Sequence, residues 1–456
     1  MRTRSTIALL AAATVAVGMA FVGGRVGLIA SGMKAKAICS GVFVSGRSSD
    51  AVGREDLAAY GSWFLDAVTA RVDPEGRLVT ASLLGFGEHR AVFRPGLGCS
   101  LVPNKIEPGA LAAQTAGLDL TPRAAPPLPA EALSGDRGAR LAQAVQGAFA
   151  EPDASKPRRT RAIVVLHDGR IVAEQYAPGV TPDTPLQGWS MAKSVIGTLV
   201  GILVREGKLH PAAAAPVPEW KAVGDPRGAI TLDQLLRMSS GLAFAERYGD
   251  PFADVMEMLF AAPSAGGYAV GSTLEVRPGA KWQYSSGTSN VIARALATAF
   301  TSPADYLAFP RRALFDRIGM TSAVLEPDAA GSFVGSSFMY ATARDWARLG
   351  LLYAQDGLWD GKRVLPEGWV EYSRTPAPAA PAAQYGAHWW LKLEPSAANG
   401  RLPADAFHAA GHGGQFVTVV PSRKVVVVRL GLALDRGAWD QPAFVAQVLD
   451  ALAAGD

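Results

Sequence analysis

The sequence predicts an α/β fold of the α+β kind: an antiparallel sheet flanked by helices, with a small α+β unit before it. Three observations predict it. Two apolar hairpins stand at opposite ends of residues 138–456. The stretch between them reads mostly as helices and loops. A Pro/Ala-rich connector, Thr121-Pro-Arg-Ala-Ala-Pro-Pro-Leu-Pro-Ala130, separates this body from a segment that holds both cysteines. Strands at both ends of a domain with helices between them imply a sheet closed by distant segments.

The first hairpin is Ala162-Ile-Val-Val-Leu166, an Asp168-Gly169 turn, then Ile171-Val-Ala-Glu-Gln-Tyr176. The second is Gln415-Phe-Val-Thr-Val-Val420, Pro421-Ser-Arg-Lys424, then Val425-Val-Val-Val-Arg-Leu-Gly431, with a helix expected over 441–454. In the N-terminal unit, residues 38–104, a helix is expected over 56–68. Strands are expected over 77–85 and 90–94, around a turn near Gly87. The connector covers 105–137.

Composition narrows the function. Of 456 residues, 49% are hydrophobic and 18% charged, enough apolar material for a sizeable core. Net charge is +4, but residues 1–37 carry five basic side chains and no acid, which leaves 39 basic against 40 acidic in the remainder. A nucleic-acid-binding body is therefore disfavoured. Arg2 and Arg4 precede an apolar run from about Ile7 to Val22. This reads as a signal peptide or a membrane anchor. Ala35-Lys36-Ala37 has the spacing of a cleavage site but lies far past the run. Extension to Ile29 would make the segment long enough to span a bilayer. Cleavage and retention both stay open. Either way the body is expected in the periplasm or cell envelope, attached to the inner membrane if the segment remains. In an exported protein, Cys39 and Cys99 are expected to form one disulfide. No metal or other cofactor is expected. His408 and His412 are four apart, but the glycines around His412 spoil a helix and no third ligand is evident.

Ser190-Met-Ala-Lys193 carries the chemistry. Three apart on a helix, a hydroxyl and an amine share one face at the helix start. The helix continues Val195-Ile-Gly-Thr-Leu-Val-Gly-Ile-Leu-Val204, apolar on all sides and so buried, with Gly207 as its stop. Such a tetrapeptide alone is a weak signal, since Ser31-Gly-Met-Lys34 also matches. Its company gives it weight: Trp282-Gln-Tyr284-Ser-Ser286-Gly-Thr-Ser-Asn290 follows, then Gly411-His412-Gly413-Gly414-Gln415 directly before an apolar strand.

In these three segments, taken in this order, residues 138–456 resemble the serine β-lactamase and penicillin-binding superfamily. They most resemble its class C-like branch of esterases and 6-aminohexanoate-oligomer hydrolases. Supporting stretches run Leu232–Leu242, Val276–Ser285 and Phe338–Gly350. The resemblance implies a five-stranded antiparallel sheet with helices on both faces and a helical lobe. It implies Ser190 as nucleophile, Lys193 and Tyr284 as shared general base and acid, and an oxyanion hole from the amides of Ser190 and Gln415. A buried lysine is expected to titrate low, and a tyrosine beside a cation likewise. Ser286, His412, Gly413 and Gly414 are expected to line the substrate site. Tyr248 and Asp250 are either a lid over it or an ordinary polar loop.

The sequence departs from the β-lactamase pattern at two places. Tyr284-Ser285-Ser286 lacks the usual amide, and His412-Gly413-Gly414 lacks the lysine and threonine that grip a substrate carboxylate. A small amide or ester is therefore the expected substrate. The alternatives are a non-catalytic or covalent-binding envelope protein, and a weak β-lactamase or D,D-peptidase. An α/β-hydrolase is excluded, because Ala192 stands where the Gly-x-Ser-x-Gly elbow needs glycine.

Overall fold

The computed structural model describes residues 2–102, 111, 114–115, 117–393, 396–435 and 437–453, without the side chains of 2–22 and Trp63. The expected five-stranded antiparallel sheet is present. Its strands are β5 (Thr160–His167), β6 (Arg170–Tyr176), β7 (Phe407–Gly411), β8 (Gln415–Val420) and β9 (Val425–Gly431), in the order β7-β8-β9-β5-β6. The two hairpins meet where β9 pairs with β5, Val428 opposite Val164. Alternation then sorts the side chains. Ile163, Val165, Val425 and Val427 face two helices, α2 (Gly135–Gly147) and α7 (Gln441–Ala453), through Leu141, Val145, Phe444 and Val448. Ala162, Val164, Val426 and Val428 face the larger core around α3 (Met191–Arg205) and α6 (Ala343–Ala354). Thirteen consecutive residues of α3, Met191–Leu203, are buried, as its all-round apolar sequence requires. The connector lies along the sheet: Ile171 N donates to Pro129 O and Glu131 N donates to Ile171 O.

The N-terminal unit is a four-stranded antiparallel meander, β1 (Val68–Asp73), β2 (Leu78–Leu83), β3 (Phe86–Arg94) and β4 (Gly98–Val102). The helix expected over 56–68 is broken. Short turns over Gly53–Leu57 and Ala58–Tyr60 and a helix over Trp63–Ala67 replace it, because Gly61 adopts φ +58° between them. The chain stays helical across the division expected at residue 37. One helix, α1, runs from Arg2 to Phe43. Ile29, Ala30, Ala35, Ile38 and Cys39 are buried in it, the last four among Val79, Ala81 and Ala91 of the meander. Ile29 packs inside the protein, against the larger core. Cys39 and Cys99 are disulfide-bonded, with Cα atoms 6.1 Å apart, and staple α1 to β4.

Buried polar contacts tie this unit to the main body. Lys36 forms an ion pair with Glu326, which also accepts hydrogen bonds from Ser40 Oγ (2.8 Å) and Cys99 N (2.7 Å). Asp56 pairs with Arg161 of β5 and with Arg47 (2.6 Å). The lysine of the second Ser-x-x-Lys packs within the N-terminal unit itself. Lys34 Nζ donates to the carbonyls of Leu65 (2.9 Å) and Val68 (2.6 Å).

Candidate active site

Ser190 sits at the start of α3 with φ −64° and ψ −6°, and its hydroxyl makes no cap bond. That leaves Oγ for Lys193, whose Nζ donates to it at 3.0 Å. The preceding residue, Trp189, is held at φ +48°, a left-handed conformation that an aromatic residue adopts only when its surroundings force it. Lys193 Nζ also donates to Ser286 Oγ (3.1 Å) and to Ser336 O (3.1 Å), so all three ammonium hydrogens have partners. Below it, His388 Nδ1 donates to Lys193 O (2.7 Å). Burial pushes His388 down to about 3, so the imidazole is neutral and acts as a fixed prop.

The second segment arrives on α5 (Ser286–Leu296). Ser285 caps this helix by accepting from Thr288 N (3.1 Å), which leaves Tyr284 just outside the first turn. The Tyr284 ring lies 4.8 Å from Lys193 Nζ and is backed by Trp390 and Tyr385. Ser286, expected at the substrate surface, is fully buried instead. It receives a bond from Lys193 and donates one to Glu246 Oε1 (2.5 Å).

The two titrating groups behave differently. Burial pushes Lys193 down to about 8, against a smaller upward pull from Glu246. Burial raises the Tyr284 phenol well above its ordinary value, and its hydrogen bond with Ser190 offsets this only in part. The expectation of a lowered tyrosine is therefore corrected. Desolvation opposes charge on both groups, and for a phenol that means retaining the proton.

The third segment forms the turn from β7 to β8. Gly413 (φ +73°) and Gly414 (φ +79°) need the left-handed region. A Cβ on Gly414 would lie 2.3 Å from Arg429 Nη1, because the buried Arg429 donates to the carbonyls of Gly413 and Gly414. Packing against Arg429, not only room for substrate, requires glycine here. The Gln415 side chain turns into the sheet and donates to His412 O (3.1 Å) and Gly431 O (2.5 Å). Only its backbone amide is left to serve an oxyanion. His412 is kept neutral by burial. Its ring stacks on Tyr248 (5.5 Å) and meets Trp189 edge-on (5.5 Å). On the other side it stacks on Tyr60, so the N-terminal unit reaches the site's border.

Of the loop residues, Tyr248 joins the cluster: its OH donates to Glu246 Oε1 (3.1 Å) and lies 3.4 Å from Ser286 Oγ. Asp250 does not. It pairs with Arg247 (2.8 Å) and accepts from Phe252 N (2.9 Å), both within its own loop.

Three contributors escaped the sequence reading. Glu246 accepts from both the hydroxyl and the amide of Ser286. Asn290 donates to Ser336 Oγ (3.1 Å) and accepts from Ser336 N (3.2 Å), aiming the Ser336 carbonyl at Lys193. Asn290 lies four residues after Ser286 on one helix face, a signal that could have revealed it. Nothing local marks Ser336 or Glu246.

Comparisons with known proteins give the family. The β-lactamase family model matches residues 145–435. The 6-aminohexanoate-dimer hydrolase of Paenarthrobacter ureafaciens is 27% identical over 306 residues, 62% of this chain and 74% of that one. Two solved structures share the fold. EstCE1, a hydrolase with promiscuous acyltransferase activity, aligns at TM-score 0.54 and 15% identity over 70% of this chain and 98% of its own. A penicillin-binding protein homologue from Caulobacter crescentus aligns at 0.50 and 17% over 69% and 97%. The chain thus belongs to the β-lactamase family, within the serine β-lactamase and penicillin-binding superfamily, and is a hydrolase of that type related to amidases and esterases.

Proposed function

We propose that the protein is an exported serine hydrolase that cleaves a small amide or ester through an acyl-enzyme on Ser190. One observation carries the reading: a buried lysine, pushed down to about 8, donates to the Ser190 hydroxyl at 3.0 Å. At pH 7 roughly a tenth of such a lysine is neutral, and this fraction can take the Ser190 proton. Ser190 Oγ then bonds the substrate carbonyl carbon, and the oxyanion rests against the amides of Ser190 and Gln415. Tyr284, which retains its proton, passes it to the leaving amine or alcohol and is reprotonated from Lys193. The acyl–leaving-group bond breaks, and water repeats the sequence in reverse to free the acid. The relatives' names, a dimer hydrolase and a promiscuous acyltransferase, support acyl transfer on small substrates. The disulfide and the apolar helix start support export, and the buried Lys36–Glu326 pair supports retention of α1.

The test is intact-protein mass spectrometry after exposure to a fluorophosphonate, together with hydrolysis of short p-nitrophenyl esters. One adduct on the wild type, none on Ser190→Ala, and turnover that depends on Ser190 are expected. A folded wild type with neither adduct nor turnover overturns the reading and favours a non-catalytic receptor.

A further inference from the structure

Three of the four large apolar side chains that stand exposed among the described residues surround the point where α1 leaves the body. They are Leu84 (77% exposed), Phe86 (76%) and Phe252 (46%). The β2–β3 hairpin touches α1 there: a Cβ on Gly27 would lie 3.2 Å from Leu83 Cδ2, and one on Gly87 would lie 2.9 Å from Leu28 N. On the α4 (Asp254–Phe260) side, Arg25 lies over the Phe252 ring (5.4 Å) and pairs with Glu257 (3.1 Å). Arg25 is also the first charge after Arg4. The 20 residues between them, Ser5–Gly24, carry none. A helix of that length spans about 30 Å, the thickness of a bilayer's hydrocarbon core.

The hairpin tip is unusual in itself. Leu83 pairs with Phe86, so Leu84-Gly85 is a two-residue turn, with Leu84 at φ +51° and Gly85 at φ +82°. Such a turn favours Asn-Gly, and a leucine there is strained. A strained turn with its apolar side chain in the open fits a tip that rests in something other than water.

We propose that this collar is a membrane-docking surface. Its occupant is the lipid bilayer that Ser5–Gly24 crosses. Leu84, Phe86 and Phe252 sit in the interfacial layer around the emerging helix, and Arg25 lies at the headgroups. α1 is then retained, and from Gly27 onward it belongs to the body. Cleavage after Ala37 would strip Lys36 from the buried Glu326. Docking also reaches the catalytic cluster. Phe252 ends the loop whose Glu246 and Tyr248 bond Ser286, so the bilayer fixes one end of that loop.

The test uses the full-length chain in phosphatidylcholine–phosphatidylglycerol vesicles. Both native cysteines are disulfide-bonded, so a single introduced thiol labels cleanly with the environment-sensitive dye NBD. Labels at Leu84→Cys and Phe252→Cys should brighten severalfold on reconstitution. Lipids spin-labelled near the headgroup should quench them better than lipids labelled at the chain end. Val223→Cys, at the one other exposed large apolar residue among those described, should stay in water. Intact mass should retain the N-terminal segment. Labels at 84 and 252 as hydrated as that at 223, or a chain cut after Ala37, would overturn the proposal. Neither outcome would touch the reactivity of Ser190.

Discussion

Glu246 pulls against the burial that pushes Lys193 down. Lys193 Nζ lies 3.1 Å from Ser286 Oγ and Glu246 Oε1 lies 2.5 Å from the same oxygen, so the charges are at most about 5.6 Å apart. At an effective dielectric of about 20 their attraction is about 3 kcal/mol, or about two pK units, and in bulk water about half a unit. Glu246 is half-exposed, so Glu246→Gln should lower the Lys193 pKa by about one unit. The sign follows from charge. The carboxylate favours the ammonium form, so its removal lets the proton leave at lower pH. If neutral Lys193 is the base, kcat/KM for a p-nitrophenyl ester rises with pH in the wild type, with its midpoint near 8. The midpoint in Glu246→Gln should fall to about 7, a gain of about fivefold at pH 7 relative to each enzyme's own plateau. The midpoint, not the plateau, is the readout, because glutamine alters the bonds to Ser286. A midpoint that stays in place, or climbs, refutes Lys193 as the group that sets the limb.

Other outcomes follow from the same contacts. Tyr284→Phe should lower acylation by roughly 10²–10⁴-fold while the midpoint of the pH profile stays near that of the wild type, measured by single-turnover kinetics. With the phenol pushed upward by burial, the wild type should show no descending limb below about pH 10. Lys36→Met leaves Glu326 buried without its cation and should cost about 3–5 kcal/mol in urea unfolding. Gly414→Ala forces a Cβ against Arg429 and holds alanine at φ +79°. It should cost roughly 1–3 kcal/mol and slow turnover through the displaced turn.

Residues close in sequence were the legible ones. Period-two apolar runs and an Asp-Gly turn are enough to specify a hairpin, and both hairpins of the central sheet appear where those signals stand. Ser190 and Lys193 share a helix face by spacing alone. The N-terminal unit was harder to read. β1 and β4 fall outside the strands expected from sequence, and the apolar face of α1 looks the same in sequence whether it meets lipid or protein. The glycine at 61 was enough to break a helix that the surrounding residues favoured.

The sequence by itself determined both hairpins of the central sheet, the order of the three candidate-site segments and the burial of α3. These depend on periodicity and on residues a few positions apart. Only the tertiary structure decided the hydrogen-bond network around Lys193 and the packing of α1. Lys193 meets Ser286 and Ser336 across 93 and 143 residues, and Lys36 meets Glu326 across 290. Those distances are set by how the chain closes on itself. The same closure fixes the desolvation that lowers a lysine and raises a tyrosine, which no local pattern records.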